Sequence, residues 1–156
     1  VPGAVQTIQT YFTNVASALP QYDIGTYLFF PTADVNQNYL ILGHWENGEE
    51  VVVNYDSTWE SLPAANQYIG ETYRIQMSLR VWSGEVDPLG RLTDAFTILD
   101  SLRAQFVNDP GGSGQLSPSG SWGKWSVSMP TSGPLGQLGG WGIVLAIESE
   151  VINVRI

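Results

Sequence analysis

The chain has 156 residues, 43% of them hydrophobic, and fifteen acidic against six basic side chains give it a formal charge of −9. That is enough chain for one domain with its own core, 1–156 without a compositional break. The acid excess argues against a protein that grips nucleic acid, which needs a basic stripe to displace counterions, and the absence of cysteine excludes disulfides, thiolate metal sites and cysteine nucleophiles together.

No stretch approaches the roughly 20 apolar residues that span a bilayer, so no membrane partner is expected. The opening residues VPGAVQTIQTYF lack the basic start and apolar run of a signal peptide, so export is not expected either.

The first predicted element is a helix over 4–19. Val5, Ile8, Phe12, Val15 and Leu19 recur at spacings of three and four and form one apolar stripe, with Pro20 to end it. Residues 20–37 read as irregular, with a short strand at 27–30. A strand over 38–45 and another over 50–55 flank Glu46-Asn47-Gly48, a hairpin signal. A connection over 56–69 leads to the clearest strand, ETYRIQMSLRVWS at 71–83.

In that strand Tyr73, Ile75, Met77, Leu79 and Val81 alternate with Arg74, Gln76, Ser78, Arg80 and Trp82. The first set is a buried face. The second places two arginines and a tryptophan where a solvated face would carry lysine and glutamate.

A second helix is predicted from Asp87 as cap and Pro88 in the first turn, ending near Asn108, with Leu89, Leu92, Phe96, Leu99, Leu102 and Phe106 as its buried stripe. A Gly/Ser/Pro loop covers 109–120. A strand over 121–129 is expected to turn Trp125, Val127 and Met129 to one side and Trp122, Lys124 and Ser126 to the other. A Gly/Pro loop over 130–140 precedes a final strand in WGIVLAIESEVINVRI.

This order predicts an α+β domain, an antiparallel sheet with two amphipathic helices packed on one face. Each helix has one stripe to bury, so the other sheet face is expected to lack cover from its own chain. At about 3.3 Å per residue the strand at 71–83 would span ~43 Å, more than the ~40 Å diameter of a compact chain of this size. Strands that long bend or project, and a projecting ribbon pairs with a neighbour.

Chemistry is sparse. His44 is the single histidine and lies beside the hairpin, with no second histidine or cysteine to complete a metal site and no G-x-S-x-G elbow to partner it, so a structural role is expected. Gly120–Lys124 fails the phosphate-loop spacing. Glu148 and Glu150 share one strand face roughly 7 Å apart, a spacing compatible with a hydrolase pair across a cleft, but exposed acids are common in so acidic a chain. No catalytic residue, cofactor or metal is expected, and the chain is not expected to be an enzyme.

Six tryptophans remain, each a candidate for core, sugar platform or interface anchor. Trp125 and Trp141 have apolar neighbours in phase and read as core. Trp82 and Trp122 are out of phase, and with Arg74 and Arg80 they are the candidate interface residues, the arginines suited to acids of a neighbour. A carbohydrate-binding module would instead need coplanar exposed rings.

The block IQMSLRVWSGEVDPLGRLTDAFTILDSLRAQF, a strand ending in Val-x-Trp type residues, a short turn and a helix, followed by a Gly/Trp-rich closing hairpin, resembles the tail terminator proteins of long-tailed, siphovirus-type bacteriophages, especially those of actinobacterial hosts. The resemblance covers roughly 4–156 in element order. It implies a structural virion protein made in the host cytoplasm and placed at the head-proximal end of the tail, a ring, usually a homohexamer, that caps the tail tube. Its implied partners are further copies of itself, the major tail tube protein and the head-tail connector protein. DNA passes through the lumen without sequence-specific binding. The acid excess suits such a conduit, since it repels DNA. Other head-tail joining and tail tube rings share similar folds and remain alternatives.

Overall fold

A computed structural model describes residues 2–28, 38–42, 44–46, 49–51, 60–61, 69–70, 73–111, 121–134 and 139–152, with side chains described for 5–28, 38–42, 74–111, 125–129, 131–134 and 139–150. Helix α1 covers Pro2–Ala18. Ile8, Tyr11, Phe12 and Val15 are buried and Val5 and Leu19 pack against them, as the three-four spacing requires. Thr10 and Thr13 return their hydroxyls to the carbonyls of Gln6 and Gln9, at 3.0 and 2.9 Å, which pairs both hydroxyls within the helix.

After α1 the Leu19 N–H reaches the Val15 carbonyl and Pro20–Tyr22 makes a single 3₁₀ turn that ends on Asp23 in a left-handed conformation, φ 49°. Strand β1, Ile24–Tyr27, then pairs in parallel with β2, Asn38–Leu42. The expected strand at 27–30 thus starts three residues earlier, and this pair breaks the antiparallel rule. Buried Asn38 explains the junction. Its Nδ2 donates to the Tyr22 carbonyl and its backbone N–H to the Asp23 carbonyl, which fixes the start of β2 beside the start of β1.

The two strands expected around the Asn-Gly signal do pair. β3, His44–Glu46, and β4, Glu49–Val51, run antiparallel with Glu46 opposite Glu49, while residues 47 and 48 themselves lie outside the described residues. They are a separate two-stranded ribbon, not a continuation of β2. A second short ladder joins β5, Glu60–Ser61, to β6, Ile69–Gly70.

β7, Tyr73–Ser83, is the centre of the main sheet, and helix α2, Pro88–Asn108, follows it. The Asp87 carboxylate accepts from the Gly90 N–H at 3.0 Å and Pro88 opens the first turn, the predicted start. At the other end the Asp109 N–H returns to the Gln105 carbonyl and the Tyr11 hydroxyl donates to the Asp109 carbonyl, which ties α1 to the end of α2.

β8, Ser121–Pro134, and β9, Trp141–Ile152, complete a five-stranded sheet in the order β1-β2-β7-β9-β8, an α+β fold with both helices on one face. β8 takes in much of the stretch expected as a loop over 130–140. It does so through register shifts between Trp122 and Lys124 and between Ser128 and Thr131, which let a Gly/Pro-bearing edge strand stay paired. The long strands therefore do not project: β7 pairs with β9 over its whole length and β9 with β8.

The core lies between the helices and one sheet face. Leu40, Leu42, Ile75, Met77, Leu79, Val81, Ile143, Leu145 and Ile147 meet Ile8, Phe12, Ile98 and Leu102 there. Trp125 closes one end, edge-on to Phe106 at 4.7 Å, and Phe106 is edge-on to Tyr11 at 4.9 Å. Trp125 and Trp141 are thus core-packed, as their phase suggested.

The expected stripe of α2 is displaced. Ala95, Ile98, Leu99, Leu102 and Phe106 are buried, whereas Leu89 and Phe96 face solvent. At 100° per residue, residue 96 lies about 100° round the helix from the buried centre. The sequence holds two apolar stripes, and only one faces the sheet.

Candidate interaction surface

The second sheet face is built by the alternate residues of the same strands. On β7 these are Arg74, Gln76, Ser78, Arg80 and Trp82, and register sets Glu150, Glu148, Ala146, Val144 and Gly142 of β9 beside them in that order. β8 adds Ser126 and Ser128 opposite Glu148 and Ala146, and Thr131 opposite Val144.

This face is only half bare, which corrects the expectation that its own chain leaves it uncovered. Tyr39 and Ile41 of β2 and Ser78 of β7 are fully buried on it. The ring of Tyr27 lies 5.5 Å from that of Tyr39, and β3 lies against β7. Toward β9 and β8 the cover stops. Gln76, Arg80, Trp82, Val144, Ala146 and Glu148 stay half-exposed, and Ser126 and Ser128 of β8 are exposed. Among the described residues no strand pairs with the outer edge of β8.

The four predicted interface residues separate here. Arg74 is exposed, with its Nε 3.9 Å from Glu148 Oε1, a loose surface pair. Glu148 Oε2 also accepts from Gln76 Nε2 at 3.4 Å, while Gln76 Oε1 is buried with no partner. Arg80 is half-buried, and among the described residues no carboxylate lies within ion-pair distance of it. Trp82 is half-buried, in register with Gly142. Trp122 pairs with Val151, and the register shift after it removes the alternation by which it was assigned to this face; its side chain, like those of His44 and Lys124, lies outside the described residues.

Three side chains that the pattern did not single out matter as much. Ser78, Ala146 and Ser128 form one register row of small residues across β7, β9 and β8. Between them and the row of Gln76, Glu148 and Ser126 the face sinks into a depression of about 260 Å³. The only sequence signal for it was smallness at alternate positions, which is also the signature of a plain solvated strand.

For chemistry the face offers little. Glu148 is engaged by Arg74 and Gln76, and it shares one face of β9 with Glu150 rather than opposing it across a cleft. Among the described residues no three His, Cys, Asp or Glu side chains gather as a metal site, and no helix is long and apolar enough to cross a membrane. What the surface can do is present cations, an aromatic ring, a depression and a free strand edge to another macromolecule.

No family model and no curated protein matches the chain. Among solved structures it is similar to a chain in the virion of a native gene transfer agent particle, with a TM-score of 0.39 and 12% identity, over 93% of this chain and 91% of that chain.

Proposed function

We propose that the chain is a non-enzymatic structural virion protein, the subunit of a ring, usually of six copies, that caps a phage tail tube at its head-proximal end and joins it to the head-tail connector. The reading starts from the resemblance of residues 75–106 to tail terminator proteins. Those residues are β7, its turn and α2, the continuous block around which the rest of the fold is arranged.

The observation that carries it is the asymmetry of the sheet. One face is sealed by two helices, while the other stays open toward β8, whose 14 residues end the sheet with an unpaired outer edge among the described residues. A long edge strand with Val127 and Met129 exposed invites pairing with another chain, and repetition around a closed symmetry satisfies every copy. The excess of acid keeps DNA from sticking to the lumen, and a basic channel wall in the assembled ring would defeat that part.

A sugar-binding reading has no comparable support, since the rings of Trp125 and Trp141 pack on the core. Incubation of the purified protein with tail tubes, followed by electron microscopy, tests the proposal. A ring of density at one tube end is the expected result. A protein that stays monomeric, with tube ends unchanged, overturns it.

A further inference from the structure

The helices clothe the two edges of the main sheet differently. α2 lies over β7 and β9 in the middle and, beyond the contact of Phe106 with Trp125, stops short of β8. Val127 is in register with the core residue Ile147, so it stands on the helix side of β8. It is nevertheless 37% exposed, and Met129, two residues on, is 51% exposed. On a sheet covered by helices, that is the side on which apolar side chains should be buried.

At the opposite edge the arrangement is reversed. α1 packs over β1 more than over β2, so it sits at the rim of the sheet. Between helix and strand the surface opens into a groove of about 210 Å³ lined by Gln9, Phe12, Thr13, Thr26, Tyr27 and Leu28. Thr26 is in register with the core residue Leu40, which puts it, like Val127, on the helix side. One edge is a strand that lacks a helix, and the other is a helix with room for a further strand beneath it.

We propose that β8 of one copy adds to the outer edge of β1 in the next copy, with Val127 seated in the groove under α1. Strand sense fits this. β1 is parallel to β2, and the steps β2–β7, β7–β9 and β9–β8 each reverse direction, so β8 runs opposite to β1. A second copy set beside the first in the same orientation therefore meets it as an antiparallel pair, with the helices of both on one side of the joined sheet. Two β8 strands paired with each other would join the two bare edges and leave Val127 without a helix. The edges differ, so the contact is head-to-tail, the type that closes into rings. The inference rests on the ring reading and names its contact.

In the cysteine-free chain, Thr26→Cys combined with Val127→Cys is oxidised after assembly, alone and on tail tubes, and resolved on denaturing gels. A ladder of covalent multimers is expected from the double variant and single chains from each parent. Covalent dimers from Val127→Cys alone would place β8 against β8 and overturn the proposal. Thr13→Arg fills the groove from an exposed position on α1. It should weaken association about tenfold or more in analytical ultracentrifugation, with the unfolding curve of the monomer unmoved. Rings that form undisturbed by Thr13→Arg and yield no ladder overturn this contact and leave the ring intact. Wild-type chain that associates neither alone nor on tubes overturns both.

Discussion

Leu79 and Arg80 are neighbours on β7, yet one is sealed under two helices and the other waits on a face that its own chain leaves half open. The pleat alone separates them, because successive side chains point to opposite sides of a sheet. The difference shows how one strand serves two purposes. Its odd-numbered residues hold the domain together, and its even-numbered residues are free to be chosen for another surface. The strongest test of that division is to remove each side chain in turn. Leu79→Ala leaves a cavity among Leu40, Leu145 and the helices, and should lower unfolding free energy in urea by about 3 kcal/mol. Arg80→Ala should change it by less than ~0.5 kcal/mol. Similar losses for both would mean that the second face is core as well.

The next largest effect concerns how the sheet is closed rather than how it is packed. Gly140, at φ +85°, lies against the end of β7, where an added Cβ would fall 2.0 Å from the Ser83 carbonyl oxygen. Trp141 begins its pairing with Ser83 one residue later. Gly140→Ala therefore meets both a left-handed backbone and a backbone clash, and a loss of about 2 kcal/mol or more is expected from thermal unfolding. Gly139→Ala, with positive φ but open space around it, should cost about half as much. Equal losses would assign the effect to φ alone and remove the close approach from the account.

Much of this was legible from spacing. The start of α2 followed from Asp87 and Pro88, the buried face of β7 from its alternation, and the β3–β4 pairing from Asn-Gly. Three features were not. The parallel β1–β2 pair depends on Asn38 reaching the carbonyl of Tyr22, a contact between residues sixteen apart that leaves no periodic trace. The phase of α2 was ambiguous because Leu89 and Phe96 extend its apolar arc beyond what one sheet face can cover. The shelter of Tyr39 and Ile41 was hidden because all five residues of β2 are buried, so no alternation marks which of them face away from the helices. Of the candidate surface, Arg74, Arg80 and Trp82 were found by phase. The depression over Ala146 was not, since small residues announce nothing.

The smallest expected effect separates cap from charge at the start of α2. The Asp87 carboxylate accepts from the Gly90 N–H at 3.0 Å, and a Cβ at residue 90, which would lie 2.2 Å from Asp87 Oδ2, would push that carboxylate aside. Asp87→Ala leaves that N–H without its acceptor and should lower stability by about 1 kcal/mol. Asp87→Asn keeps a capping oxygen and should lose only a few tenths, the part owed to a negative charge at the helix N-terminus. Urea unfolding of the two variants distinguishes these contributions. An Asn variant as weak as the Ala variant would make the charge, not the hydrogen bond, the anchor of α2. In that case raised salt should weaken the wild type toward both, because a dipole interaction at an exposed helix end is screened while a capping bond is not.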